Sequence, residues 1–295
     1  MSTAPASLAA RADLAVAPPR RRVEPVAFLA LPGFGYLAIA FALPLALLLA
    51  ASVVSEGHVT LAGYRTFLAD PFSWTVMANT LRSAAAITLI CLVAGYPAAF
   101  ALARAAGVLQ AALLTALVLP LSVGVVVKAF AWTILLRSDG VVNRTLVGIG
   151  AIDAPVRLLF TEAGLVLGAV NVFLPFMVLP IFSVVKLIDP RLLDAAATLG
   201  SSPLHRFLRV TLPLTMPGVI AGIAFVFSMS VSMYVIPTLL MGDRFKTLSV
   251  LIARSFLFMR DRSVGSTASV MLLLIAVAVV VASALFTRRW QPRSS

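Results

Sequence analysis

Residues Asp194 to Pro213 read DAAATLGSSPLHRFLRVTLP, and the rest of the chain is organised around this stretch. It is polar and lies between two apolar runs, each long enough to cross a bilayer. It opens on an acid and two alanines, places Gly200 four positions after Ala196, and closes on Val210-Thr211-Leu212-Pro213. Glycine and proline punctuate local structure, so the stretch predicts a short helix, a glycine turn, a second short helix and a proline stop. An ordered polar loop between membrane spans is built to be gripped from the aqueous phase.

The flanking composition fixes the class. Of the 295 residues, 61% are hydrophobic and 12% charged, with a mean hydropathy of +1.06. A soluble domain is roughly 45–50% apolar and about a quarter charged. The expected fold is therefore an all-α integral membrane protein. The formal net charge is +12, but the Lys and Arg residues are scattered among apolar runs and form no basic face to track phosphates, which excludes nucleic acid as a partner. They are expected at helix ends and bilayer surfaces, in contact with lipid. The single cysteine, Cys91, lies in an apolar run; it makes no intrachain disulfide or cysteine metal site and reads as a small buried hydrophobe. His58 and His205 sit in separate polar segments, so no histidine pair and no metal site is expected.

A span needs roughly 20 apolar residues. Six segments qualify, at about 27–54, 76–103, 108–136, 163–186, 218–241 and 267–287. The basic Arg20-Arg21-Arg22 run before the first resembles a secretory signal, but the apolar run that follows is far longer than a signal core and reads as a retained span. The expected organisation is a disordered basic cytoplasmic tail over 1–25, a membrane domain over 26–287 and a short cytoplasmic tail over 288–295. With six spans both termini face the cytoplasm. Twelve of the 23 Lys and Arg residues fall on that side, so the orientation rests on the two basic ends and the Arg104 turn rather than on the total. Residues Leu248 to Met259 are apolar but too short to span, and suit a re-entrant or interfacial helix. The flanking Arg244, Lys246, Arg260 and Arg262 run against the charge bias.

Proline interrupts the interior spans at Pro97, Pro120, Pro175, Pro180 and Pro237. Each removes a backbone donor and can kink its helix, either as ordinary bundle packing or as a pivot. Charges inside the spans are few. No Asp or Glu occurs over 71–138, 163–188 or 195–242, which leaves a proton-coupled carrier nothing to titrate. Lys128 is the exception among the bases. Eight residues from the outer end of the third span, about 12 Å, it either snorkels or lines a passage; Arg82, near the outer end of the second, is expected to snorkel. The chain has no phosphate-binding Gly-x4-Gly-Lys-Ser/Thr loop, no HExxH and no GxSxG. It is expected to be no enzyme and to bind no cofactor, and any energy source must be elsewhere.

Asp194-Ala195-Ala196, three residues, Gly200, nine residues, then Val210-Thr211-Leu212-Pro213 resembles the EAA loop of bacterial ABC importer permeases, EAA-x3-G-x9-I-x-L-P, with Asp194 for Glu and Val210 for Ile. Tyr64 to Leu68, Asn79-Thr80-Leu81, Ala131 to Leu136 with Asp139 to Asn143, Leu174 to Pro180 and Pro213 to Gly218 resemble the spermidine/putrescine-type branch, first permease subunit. The resemblance covers residues 26–287. It implies a type I importer fold in which two permease subunits, here a non-identical pair, form one path. A periplasmic binding protein delivers solute, and two ATPase subunits, which hold ATP and Mg, grip the cytoplasmic loops. The coupling loop would comprise Asp194, Ala195, Ala196, Ala197, Gly200, Ser202, Pro203, Phe207, Leu212 and Pro213. Small alanines permit close approach of the ATPase, and Gly200 permits a sharp turn. Ser202-Pro203 reads as an N-cap with proline in the first helical position, while Phe207 and Leu208 hold the second short helix to the bundle. Lys128, Trp132, Pro175 and Tyr234 are the expected path residues. A polyamine is the solute the branch implies, with opines, aminophosphonates, ferric iron or thiamine as alternatives. A secondary transporter would leave the loop without a use.

Overall fold

The structure is a computed structural model that describes residues 26–55, 58–242 and 246–290. The expected tail over 1–25, Arg244 and the last five residues lie outside the described residues. The chain forms two units, one ending at Leu47 and one beginning at Leu48. The first unit carries most of helix α1 (Val26–Val53), which holds Pro32 and Pro44 and is long and apolar enough to span a membrane.

The second unit holds everything else. A two-residue hairpin pairs β1 (Val54–Ser55) antiparallel with β2 (His58–Val59). It leads through α2 (Ala62–Ala69) into α3 (Pro71–Arg104), 34 residues long. Asp70 starts α3 by accepting a hydrogen bond from Phe72 N, with Pro71 in the first helical position. Next come α4 (Gly107–Val118), a tight turn over Leu119–Ser122, α5 (Val125–Leu135) and the short α6 (Val141–Gly148). Helix α7 (Glu162–Lys186) follows, capped by the Thr161 hydroxyl. After α8 (Pro190–Thr198) and α9 (Pro203–Arg206) come α10 (Leu212–Ser232), α11 (Val235–Leu240), α12 (Leu248–Arg254) and α13 (Arg262–Trp290).

Among the described residues five helices can span a membrane, or six if α4 and α5 count as one. The third expected span is not a straight helix: α4 and α5 meet at 99°. Pro120 ends regular helix, and Val123 and Gly124 are both extended, so the chain turns a corner before α5 begins. The fifth expected span is also broken. Pro237 has no N–H to give Met233 O, four residues back, and its ring crowds that carbonyl. Met233 is extended, and its carbonyl instead accepts from Ser249 Oγ at 2.8 Å.

Helix α7 is the axis of the core. Leu165, Ala169, Phe173, Met177 and Ile181 recur every fourth residue and are all buried. They pack between α3, which offers Ile87, Cys91, Gly95 and Ala99, and α10. Such fourth-residue ridges are the surfaces that interdigitate when helices cross. Small residues bring the backbones together. A Cβ on Gly95 would stand 3.0 Å from Met177 Cγ, and one on Gly222 2.7 Å from Met177 Sδ. The 248–259 segment is a short apolar helix with Leu248, Val250 and Leu251 buried, anchored where Leu248 N donates to Thr80 Oγ1 at 2.9 Å. Arg82 does not simply reach for solvent: it grips Glu162 with Nε and Nη2 at 2.9 and 2.5 Å.

Candidate functional site

Two features bring the sequence-selected residues together: the loop between α7 and α10, and a cleft at the helix breaks.

The loop is ordered by its own side chains. Asp189 Oδ1 accepts from Arg191 N at 2.9 Å and starts α8. Asp194, Ala195 and Ala197 project outward, and Ala196 is half-buried. At the end of α8, Gly200 N donates to Ala197 O at 3.0 Å and Ser201 N to Ala196 O at 3.2 Å, with Gly200 at φ +77°. This pair of bonds with a left-handed glycine is a Schellman stop. Ser202 Oγ then accepts from His205 N at 3.3 Å, with Pro203 opening α9.

One expectation fails here. Pro213 does not stop a second short helix. Residues 203–232 run on as a single 30-residue helix, and Pro213 lies in the first turn of α10. A π turn over Phe207–Thr211, in which Leu212 N reaches back to Phe207 O, widens the helix just before the proline ring. The extra residue in that turn is what accommodates a missing donor and a bulky ring. The loop therefore continues rigidly into a core helix.

Phe207 does hold this segment to the bundle. It meets the Tyr96 ring edge to face, with centroids 5.9 Å apart, and Tyr96 OH shares a hydrogen bond with Thr215 Oγ1 at 3.0 Å. Leu208 is half exposed. Leu212 is half-buried.

The second feature is a cleft of about 380 Å³. Both broken spans converge on it: Gly124 and Val125 from the corner before α5, and Met233 and Tyr234 from the break after α10. Its third wall is the middle of α7, through Val172, Phe173 and Phe176. Unwound backbone inside a membrane is tolerated where it lines a cavity, and transporters use such breaks for solute. Of the four expected path residues, Lys128 and Tyr234 line the cleft. Lys128 Nζ has no hydrogen-bond or ion-pair partner among the described residues, and it lines the cleft together with Val172, Phe173 and Phe176 of α7. Trp132 lies one turn further along α5 and packs on Gly168, its Cγ 3.6 Å from where a Cβ would be. Pro175 is buried in α7 and lines no wall. Phe173, Phe176 and Met233 were not singled out from the sequence. The usable signal for Met233 was Pro237, four residues on.

No family model matches the chain. The spermidine/putrescine transport system permease protein PotB of Escherichia coli (strain K12) is 36% identical over 216 residues, covering 73% of this chain and 78% of that protein. The chain belongs to the PotB family of ABC transporter permeases. This permease is also 30% identical over 214 residues to the molybdenum transport system permease protein ModB of Mycobacterium bovis, covering 72% and 79%. Its fold matches a crystal structure of a bacterial ABC transporter involved in alginate import, with a TM-score of 0.73 at 17% identity over 90% of this chain and 95% of that one. The MetNI methionine ABC transporter matches at 0.57 and 16% identity, over 76% and 99%. The permease is thus a multi-pass inner-membrane subunit of an ABC importer, with the type I importer fold.

Proposed function

We propose that this permease passes a polyamine, delivered by a periplasmic binding protein, into the cytoplasm, driven by two separate ATPase subunits that hold ATP and Mg. The observation that carries the reading is the 36% identity to PotB across 73% of the chain. The loop supports the coupling role. Asp194, Ala195 and Ala197 face outward on α8, and the helix that follows Gly200 runs unbroken into α10. A push on the loop thereby reaches the core helix that ends at the cleft. Lys128 and Tyr234 serve as path residues, the loop and both termini face the cytoplasm, and the partner permease is a second, non-identical chain.

The test is reconstitution of the permease pair, the ATPase and the binding protein in proteoliposomes. Spermidine-loaded binding protein should accelerate ATP hydrolysis and drive spermidine uptake, and a maleimide should label Thr198→Cys from the ATPase side only. Uptake without ATPase would overturn the reading.

One observation favours a second solute class. The charged side chain lining the cleft is a cation, Lys128, which suits an anionic solute such as an aminophosphonate better than a polyamine. The same assay with candidate anions separates the two.

A further inference from the structure

We propose that the loop-side end of this permease holds an anionic phospholipid, its phosphate bound by Arg104 and Arg206. Between α3 and the loop lies a cleft of about 500 Å³ whose walls include Tyr96, Phe100, Arg104, Leu193, Arg206 and Phe207. A second hollow of about 350 Å³ adjoins it, sharing Phe100, Arg104 and Leu193 and adding Lys186. Among the described residues the cleft is cationic and lacks its counter-charge. Arg206 Nε is buried with no hydrogen-bond partner among them. Arg104 stands 6.0 Å over the Phe100 ring and has no carboxylate partner among them. Lys186 meets the Gln110 amide oxygen at 3.3 Å and the face of Phe182. No acidic residue among those described lines either hollow. A buried guanidinium nitrogen without a partner is costly, and a phosphate oxygen is a fitting acceptor.

Depth and shape identify the source of the phosphate. Arg104 is the last residue of α3 and Lys186 the last of α7, two helices long and apolar enough to span a membrane, so the cations gather at the loop-side ends of two spans. The apolar walls, Phe100, Leu193 and Phe207, give an acyl chain or glycerol a surface that free phosphate cannot use. Basic pockets between span ends are where anionic headgroups lodge. The occupant would join α3 to the first turns after Gly200, bracing the loop. The proposal depends on neither the solute nor the direction in which the loop faces.

The test uses the full-length chain in neutral detergent, with palmitoyl-oleoyl phosphatidylglycerol, the matching phosphatidylcholine and inorganic phosphate as probes. Native mass spectrometry reads the adduct and thermal unfolding reads its effect. Phosphatidylglycerol should bind and raise Tm more than phosphatidylcholine. Arg104→Gln with Arg206→Gln should weaken phosphatidylglycerol binding about thirtyfold, and Arg104→Lys with Arg206→Lys should recover most of it. The charge-matched pair Arg191→Gln with Arg209→Gln, neither of which lines the cleft, should bind as the parent does. Equal binding of the two lipids, equal losses in the two glutamine pairs, or a phosphate shift as large as that of phosphatidylglycerol would each overturn the proposal.

Discussion

Tyr96 of α3 meets Phe207 of the loop edge to face, the ring planes at 89°, while its hydroxyl is bonded to Thr215 of α10. One side chain therefore ties the loop, α3 and α10 together. Edge-to-face pairs are worth about 0.5–1.5 kcal/mol beyond buried area. A double-mutant cycle of Tyr96→Leu and Phe207→Leu, read by thermal unfolding in detergent, should return a coupling in that range. Phe207→Leu alone should cut binding-protein-stimulated ATP hydrolysis severalfold while the complex still assembles. A coupling of zero would mean that the rings are neighbours only.

Gly200 provides a cleaner test of the loop's geometry. Nothing stands within 4 Å of the place a Cβ would occupy, so the cost of a substitution there comes from φ +77° alone. A left-handed residue other than glycine costs roughly 1–2 kcal/mol, with Asn and Asp the most tolerant and β-branched residues the least. Stimulated ATP hydrolysis should fall in the order Gly, Asn, Ala, Val, with the ATPase still co-purifying. Full activity in Gly200→Val would sink the view that coupling needs this turn.

The sequence was most legible where local chemistry decides. The glycine turn and the Ser202 cap follow from residues within a few positions of one another, and the observed bonds are the ones that spacing dictates. The first short helix begins at Pro190 on the Asp189 cap, four residues before Asp194, where the sequence pattern opens. It was least legible where a proline acts at a distance. Pro237 marks the fifth span, yet the break it causes is at Met233, because the disturbed carbonyl is four residues earlier. Pro213 looked like a stop and is not, because a π turn in front of it absorbs the strain. Pro120 announced a kink, but the 99° corner depends on two extended residues beyond it. The cleft was hidden for the same reason. Lys128 and Tyr234 come from different broken spans, and the breaks, not hydropathy, bring them to one cleft. Arg82 was expected to reach for water; its partner, Glu162, lies 80 positions away, a separation no local pattern reveals.

The close contacts of α10 on α7 separate two glycines that look alike in sequence. A Cβ on Gly218 would meet the Pro180 carbonyl at 2.8 Å and Ile181 Cα at 3.1 Å, both backbone. On Gly222 the nearest atom is Met177 Sδ at 2.7 Å, the far end of a flexible chain. Overpacking costs about 1–3 kcal/mol where neighbours cannot yield. Gly218→Ala should therefore lower Tm clearly, Gly222→Ala less, and Met177→Ala should relieve Gly222→Ala but not Gly218→Ala. Thermal unfolding of the four variants in one detergent checks the order.

Lys128 and Trp132 sit one turn apart on α5 but should respond differently. Trp132 packs on Gly168, so Trp132→Ala should lower Tm, with any loss of uptake following from that. Lys128 lines the cleft without a partner among the described residues. A lone charge within a membrane is unfavourable by about 2.5–3.5 kcal/mol on insertion scales, so Lys128→Met should leave Tm unchanged or raise it. Uptake by the reconstituted importer should nevertheless change, because the charge facing the solute is gone. The sign then reports the cargo. If a polyamine passes this wall, Lys128→Met and more so Lys128→Glu should raise transport, since a repelling cation is removed and then an attracting anion supplied. If the cargo is an anion, Lys128→Glu should abolish uptake while ATP hydrolysis without binding protein stays as it was. Lys128→Glu and Lys128→Met variants indistinguishable from the parent in both uptake and Tm would remove Lys128 from the path.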